Sequence, residues 1–174
     1  WMAPVSNSPS PARRGYLADI YTFAWSQLSF HTSLIGSVAI ALCLFVGILV
    51  GHPSAGLIAG GGAFTIGFGV NQRIADSRVW PMVAATGAMF LSTLIGMMIG
   101  HHGFLLVVAA TVWGFVYAIL TARAAGISWV GQQAAITLFV STAFPADVHA
   151  ALLRALLIVS GGALQILVTS LCLS

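Results

Sequence analysis

The sequence predicts an all-α, polytopic integral membrane protein with six transmembrane helices preceded by an amphipathic interfacial helix. Of its 174 residues, 59% are hydrophobic and 5% are charged, whereas a soluble domain carries about 25% charged residues. The mean hydropathy is +1.03, and lysine and glutamate do not occur in the sequence. Its apolar residues form segments separated by short polar breaks. In lipid such segments become helices, because each backbone amide must find its hydrogen bond within the protein.

The first thirty residues precede the first apolar segment. Residues 1–15 are rich in proline and serine and predict a disordered tail. Residues 16–30 predict an interfacial helix, because their apolar side chains recur on one helical stripe. The stripe consists of Tyr16, Ile20, Phe23 and Phe30. We expect this helix to lie along the membrane surface and to lead into a transmembrane domain over residues 32–174.

Six apolar segments approach the length of about 20 residues that a helix needs to cross the hydrocarbon core. They are predicted at residues 32–51, 54–70, 81–100, 104–121, 127–142 and 150–173. The second segment is unusual, since residues 56–70 contain six glycines and no charge. Glycine lets another helix or a solute approach the backbone closely. We therefore interpret the second segment as a helix that packs tightly on its neighbours or lines a solute pathway.

The arginines predict the orientation of these segments. Five of them share one side of a six-span arrangement, namely Arg13, Arg14, Arg73, Arg78 and Arg123. Arg154 alone lies on the other side, at the start of the sixth segment. Because loops rich in arginine remain in the cytoplasm, we expect both termini to be cytoplasmic, in a bacterial inner membrane.

Three Gly-x-x-x-Gly pairs supply small ridges at which helices can meet. They are Gly47 with Gly51, Gly56 with Gly60, and Gly96 with Gly100. Two interpretations remain open, namely packing within one chain and a glycine-lined solute path in the second segment. We expect the helix to break at Gly60, Gly61 and Gly62, where freed backbone amides could meet an anion.

Polar side chains within apolar segments are costly and tend to be functional. Gln132 and Gln133 stand early in the fifth segment, and Gln165 lies within the sixth. They either contact a solute or hold helices together. Arg154 can hold a carboxylate through two hydrogen bonds, or it is a snorkelling side chain or a partner for Asp147. The predicted substrate pathway consists of Gly60, Gly61, Gly62, Gln132, Gln133 and Arg154.

Four histidines map to the side opposite the arginine-rich loops, namely His52, His101, His102 and His149. Histidine changes charge near neutral pH, so they are candidates for a proton relay; the alternative is solvated loop side chains. No carboxylate or cysteine joins them at ligand spacing, and no metal site is predicted. Cys43 and Cys172 lie inside apolar segments and predict neither a disulfide nor a metal site.

Catalysis is not predicted. The stretch Gly126-Ile-Ser-Trp-Val130 loosely resembles the nucleophile region of intramembrane serine proteases, but it lacks the second glycine of Gly-x-Ser-x-Gly. The predicted topology also places Ser128 on the side opposite the loop histidines, so that no Ser–His pair can form. Nucleic-acid binding is not expected either, because the arginines are scattered between apolar segments.

The motifs resemble the membrane domain of the fusaric acid resistance family, also called aromatic acid exporters. The resemblance rests on Val46-Gly-Ile-Leu-Val-Gly-His-Pro53 and on Ala55-Gly-Leu-Ile-Ala-Gly-Gly-Gly-Ala-Phe-Thr-Ile-Gly-Phe-Gly69. It continues through the basic loop at 73–78 into the glycine-rich segment at 82–100, and covers roughly residues 30–174. It implies a six-helix membrane domain, a cytoplasmic domain outside these residues, and proton-driven export of aromatic carboxylic acids.

We therefore expect a proton-driven membrane transporter that exports small organic acids of the aromatic carboxylic class. Its expected partners are a small organic anion, the lipid bilayer and further copies of the chain in a dimer or trimer, and no cofactor is expected. A passive anion channel is one alternative. A non-transporting membrane-assembly subunit, whose glycine ridges would contact partner helices, is another.

Overall fold

The computed structural model describes residues 30–74 and 77–172, with side chains from Ser33 onward. The predicted tail at 1–15 and the predicted interfacial helix at 16–30 lie outside the described residues, except that Phe30 begins the first helix. Arg13 and Arg14 also lie outside them.

Six helices make up the described part of the chain, which confirms the predicted all-α class. They are α1 (Phe30–Leu49), α2 (Pro53–Gly67), α3 (Val79–Ile99), α4 (Gly103–Thr121), α5 (Ala125–Thr142) and α6 (Val148–Cys172). A 3₁₀ turn at Phe68–Asn71 extends α2. Strands are absent from the described residues, apart from an isolated bridge between Ile74 and Ser77. The first and last residues of each helix lie close to those of a predicted segment.

Within the described residues, four helical stretches are long and apolar enough to cross a membrane, fewer than the six predicted. They are Pro53–Asn71, Val79–Ile99, Gly103–Thr121 and Val148–Cys172. α1 contributes a shorter apolar stretch, Ser33–Leu49. α5 has 18 residues, but Gln132 and Gln133 lower its hydropathy. These helices are compatible with a membrane protein.

The chain turns sharply between α1 and α2. Gly51 has a φ of 78°, in the left-handed region that glycine enters without steric cost. Pro53 then stands in the first turn of α2, where its missing N–H would have no helical partner in any case. Gly51 and Pro53 thus form the turn that joins α1 to α2.

α2 is continuous through Gly60, Gly61 and Gly62, so the prediction of a broken helix there is wrong. Glycine has a low helix propensity, but a break in an apolar environment would leave backbone amides unpaired at greater cost. Gly60 instead packs on Ile40, and Gly62 packs on the backbone of Ile158. Close helix contact, rather than a break, explains these two glycines.

The helices pack around α3 and α6. α2 lies along α6, α6 along α3, α3 along α5, and α5 along α4. α1 meets α2 at Gly47 and Gly56, where a Cβ added to Gly47 would lie 2.6 Å from the Cα of Gly56. Gly96 and Gly100 similarly bring α3 against α5, since added Cβ atoms would lie 2.6 Å from the carbonyl oxygens of Leu138 and Thr142. These glycines serve packing within the chain.

The loops gather at two opposite ends of the helices. α2 and α6 run in the same direction, because Gly62 meets Ile158 and Gly67 meets Gln165 further along. Their starts and the α3–α4 loop form the histidine end, which carries His52, His101, His102 and His149. The other loops form the arginine end, where Gly126 packs on the backbone of Arg73. The arginine end carries Arg73, Arg78 and Arg123.

Candidate functional site

A cavity of about 530 Å³ lies between α2, α3, α5 and α6. Its volume is within the range of about 300–1,000 Å³ that is typical of small-molecule sites. Most of its lining is apolar, as in Leu57, Met89, Ile136 and Ile158. The polar lining residues are Ser54, Thr65, Thr93, Thr137, Ser141 and Arg154.

The cavity has a closed floor and an open side. Met89 and Thr93 of α3 belong to the floor and are 4% and 1% exposed. Leu57 of α2 and Ile136 of α5 also line the cavity, yet they are 67% and 49% exposed. α2 and α5 pack on the central helices, and the cavity separates them. The cavity is therefore a cleft whose mouth lies between α2 and α5.

A hydrophobic cluster closes the cavity toward the arginine end. Its buried members are Ile66, Val70, Met82, Ala85, Met89 and Trp129. On α2 and α5, the members of the cluster lie nearer the arginine end than the residues that line the cavity. On α3, Met89 belongs both to the cluster and to the cavity lining. Gly69 tightens the cluster, since a Cβ there would lie 2.8 Å from both Met82 and Trp129.

Arg154 is the cation of the cavity. It is half-buried in α6 near the histidine end, and its Nη1 donates a long hydrogen bond of 3.5 Å to the carbonyl of Phe144. Within the described part of the chain it makes no ion pair, and Asp147 is exposed and not hydrogen-bonded to it. A guanidinium has five N–H donors, so Arg154 keeps donors for an anionic ligand.

Thr137 and Ser141 place two further donors at the cavity. They are four residues apart on one face of α5 and only 9% and 6% exposed. Neither hydroxyl is hydrogen-bonded to a described residue. In contrast, the hydroxyls of Thr65 and Thr93 donate to carbonyls of their own helices, at 2.9 Å and 2.8 Å. Thr137 and Ser141 are therefore buried hydroxyls that are available to a ligand, together with the exposed hydroxyl of Ser54.

Sequence reasoning missed Thr137 and Ser141, although a signal was present. Gln133, Thr137 and Ser141 follow one another at intervals of four residues, which is the spacing of one helix face. A polar stripe of this kind on an apolar helix indicates a face turned away from lipid.

The structure brings together only part of the predicted pathway. Gly61, Gly62 and Arg154 line the cavity. Gly61 has open space beside it, whereas Gly62 is packed against α6 and Gly60 against α1. Gln132 is exposed and Gln133 half-buried, and both lie one turn beyond the cavity lining, toward the arginine end.

The four histidines of the predicted proton relay are all exposed, and none of them lines this cavity. Their role in proton transfer stays a prediction. Among the described residues, no three histidine, cysteine, aspartate or glutamate side chains are grouped to hold a metal ion.

Gln165 is a buried polar residue beside the hydrophobic cluster. It is 0% exposed, and its Nε2 donates to Oγ1 of Thr169 at 3.2 Å. Its Oε1 has no hydrogen-bond partner among the described residues. The side chain faces Gly67, where an added Cβ would lie 3.6 Å from the amide carbon. Gln165 thus packs α6 on α2, with one acceptor unfilled.

Two other cavities offer less for recognition. One of about 550 Å³ lies between α1, α2 and α6 and is lined almost entirely by apolar atoms. Another, of about 220 Å³, lies between α3, α4 and α5, where Nε1 of Trp113 already donates to the Ser92 hydroxyl at 3.0 Å. The cleft between α2 and α5 combines Arg154 with hydroxyls that have no partner among the described residues, and these two other cavities do not.

Comparison of the chain with protein-family models, with curated proteins and with solved structures finds no match. The resemblance to the fusaric acid resistance family therefore rests on the sequence motifs alone, and the function must be argued from the cavity.

Proposed function

We propose that this chain is a six-span transporter that exports small aromatic carboxylic acids across a bacterial inner membrane. The observation that carries the proposal is an apolar cavity lined by Arg154, which makes no ion pair with a described residue, and by the hydroxyls of Ser54, Thr137 and Ser141, which have no partner among the described residues. An aromatic carboxylate joins an apolar ring to an anion. The apolar walls suit the ring, and Arg154, Thr137 and Ser141 can donate hydrogen bonds to the carboxylate.

The proposal includes α1 and α5 as membrane-spanning helices. α5 carries its polar stripe toward the cavity, and a helix that lines a polar pathway tolerates residues that lipid would not. With the arginine end in the cytoplasm, the cavity opens toward the outside and the hydrophobic cluster closes it on the inside. Export then requires that the cluster separate in a second, inward-facing arrangement.

In the proposed cycle, a carboxylate arriving from the cytoplasmic side first meets Gln132 and Gln133 and then the cavity. Arg154, nearer the outer end, holds the anion before release. Proton exchange would drive the cycle, with the exposed histidines at the outer end as the groups that change charge near neutral pH. We further propose a homo-oligomer, in which α4, without a buried residue in the single chain, is the helix that a second copy would contact.

The test is the uptake of labelled hydroxybenzoate into inverted membrane vesicles, with and without an imposed proton gradient. Gradient-dependent accumulation is expected. Equilibration without a gradient would instead favour a passive anion channel. Absence of flux, together with constant purification alongside a different polypeptide, would favour an assembly subunit.

Two variants link the flux to the cavity. Arg154→Gln should lower uptake at least about tenfold, because a hydrogen bond to a charged group contributes about 1.5–3 kcal/mol. Arg123→Gln, exposed at the arginine end, is its control. Gly61→Leu should block the cavity without disturbing packing, and Gly87→Leu, also with open space beside it, should not. Full uptake by both cavity variants would refute the assignment.

A further inference from the structure

The mouth of the cavity extends from the histidine end, where the lining residues Ser54 and Phe144 are exposed, to the middle of the helices. Gly61 is the ninth residue of α2, and Ile136 is the twelfth of α5. At about 1.5 Å per residue, both lie more than one helical turn from either end of their helix. In a chain that spans a bilayer, the mid-helix part of this mouth faces hydrocarbon and not water.

Polarity is distributed unevenly between the mouth and the rest of the cavity. Leu57 and Ile136 flank the mouth, and both are apolar. Of the groups that can hold an anion, Arg154 and Ser141 lie toward the histidine end, and the buried Thr137 lies one turn from Ser141 on the same face of α5. A ligand that places its acid group on these donors therefore directs its apolar part toward the mouth.

Gly61 keeps the α2 edge of the mouth open. A Cβ at this position would have no atom within 4 Å, whereas a Cβ at the adjacent Gly62 would overlap the carbonyl of Ile158. Gly62 is thus required for the contact between helices, whereas Gly61 leaves open space beside the cavity.

We infer that the cavity takes amphipathic acids whose tails are longer than the cavity itself, with the carboxylate at Arg154 and an alkyl chain that passes between α2 and α5 into the bilayer. The inference rests on the proposed function and extends its substrate class from small aromatic acids to membrane-partitioned alkyl and alkylaryl carboxylates. The tail stays in hydrocarbon both before and after binding, so the binding free energy does not depend on tail length.

A series of 4-alkylbenzoates tests this inference. The protein in lipid nanodiscs is titrated with acids from 4-methylbenzoate to 4-octylbenzoate, in competition with labelled hydroxybenzoate. Each dissociation constant is calculated from the concentration of the acid in the bilayer rather than in water. We expect these affinities to agree within about threefold, because each added CH₂ is in hydrocarbon both when free and when bound. An enclosed cavity would instead weaken the binding of long-tailed acids by about fivefold or more, since overpacking costs about 1–3 kcal/mol.

Variants at the mouth sharpen the test. Ile136→Trp should narrow the mouth and weaken 4-octylbenzoate relative to 4-methylbenzoate. Val83→Trp, at an exposed position on α3 away from the cavity, should leave that ratio unchanged. Arg154→Gln should weaken all members of the series by a similar factor.

Failure of the inference and failure of the proposed function give different results. If hydroxybenzoate binds and 4-octylbenzoate does not compete, the open mouth is refuted and the small-acid site stands. If neither acid binds, both the proposed function and the inference that rests on it are refuted. A co-purified phospholipid that excess 4-octylbenzoate does not displace would also refute it, since the cleft would then be a lipid site.

Discussion

At the scale of single residues, the hydroxyls of the helices fall into two groups. Thr65, Thr93 and Thr111 donate to the carbonyl one turn earlier in their own helix, as threonine commonly does inside helices. Thr137 and Ser141 have no such bond among the described residues and line the cavity. This difference, rather than the residue type, distinguishes candidate ligand contacts from ordinary polar residues.

Thr137→Val should therefore weaken binding of hydroxybenzoate by about tenfold or more, since the variant keeps the side-chain shape and removes one hydrogen bond to an anion, worth about 1.5–3 kcal/mol. Thr111→Val is the matched control, because Thr111 is exposed on α4 and bonded to its own helix. Equilibrium binding to the purified protein measures both. Equal affinity in the two variants would remove Thr137 from the site.

Gln165 presents the opposite situation, a polar side chain that is buried but incompletely bonded. An unpartnered buried polar atom costs about 1–3 kcal/mol. We therefore expect Gln165→Met, which is similar in length and apolar, to stabilise the protein by roughly 1 kcal/mol. Thr169 can compensate by donating to the main-chain carbonyl one turn earlier.

Thermal unfolding in detergent micelles measures the effect of Gln165→Met, with Gln132→Met at an exposed position of α5 as the control. A lower midpoint for Gln165→Met would show that Oε1 has a partner in solution, such as a buried water, and that the glutamine is held in place by it.

At the scale of helices, the contact between α2 and α6 depends on bare backbone. Gly161 packs directly on the carbonyl of Ala59, and Gly62 packs on the carbonyl of Ile158. Without a hydrophobic driving force between helices in lipid, such close approach supplies much of the association energy through van der Waals contact. The α2–α6 pair is therefore the contact that is most sensitive to added side-chain volume.

Gly161→Ala should destabilise the protein by about 4 kcal/mol, at the upper end of single-substitution effects, because the new methyl group would overlap the backbone of α2. Gly87→Ala should be neutral or stabilising by up to about 1 kcal/mol, since its surroundings are open and alanine is the better helix former. Thermal midpoints and the yield of monodisperse protein compare the two. A wild-type midpoint for Gly161→Ala would mean that the two helices are further apart than described.

The elements were predictable from sequence, but their facing surfaces were not. Apolar segments bounded by His52-Pro53 or by the arginine loops define the helices, because lipid leaves helix as their only hydrogen-bonded state. Within α2 or α3, however, apolar residues surround the helix on all sides, so no periodicity shows which face meets a neighbour. Arg154 could be selected as a rare cation within an apolar segment, whereas Thr137 and Gln165 required the packing to be known.

At the scale of the whole molecule, the two ends of the helix bundle carry different titratable and charged groups. The arginine end carries three of the four described arginines, and the histidine end carries four histidines. This asymmetry is what the positive-inside rule uses to set orientation. It depends on every helix crossing the membrane, and α5 is the helix whose composition argues least strongly for crossing.

Cysteine accessibility on either side of α5 tests that crossing. In a background of Cys43→Ala and Cys172→Ala, the variants Arg123→Cys and Asp147→Cys place single exposed thiols before and after α5. A membrane-impermeant maleimide added to intact spheroplasts should label Asp147→Cys at once and Arg123→Cys only after permeabilisation.

Labelling of both positions from one side would mean that α5 does not cross the membrane. Successive loops would then no longer alternate between the two sides, and the arginines would no longer predict the orientation. We expect it to cross because its three evenly spaced polar residues, Gln133, Thr137 and Ser141, mark one face of the helix, and the last two line the cavity. In the proposed transporter, the low hydropathy of α5 would follow from its contact with the solute pathway, because the residues that lower its hydropathy are those that face the cavity side.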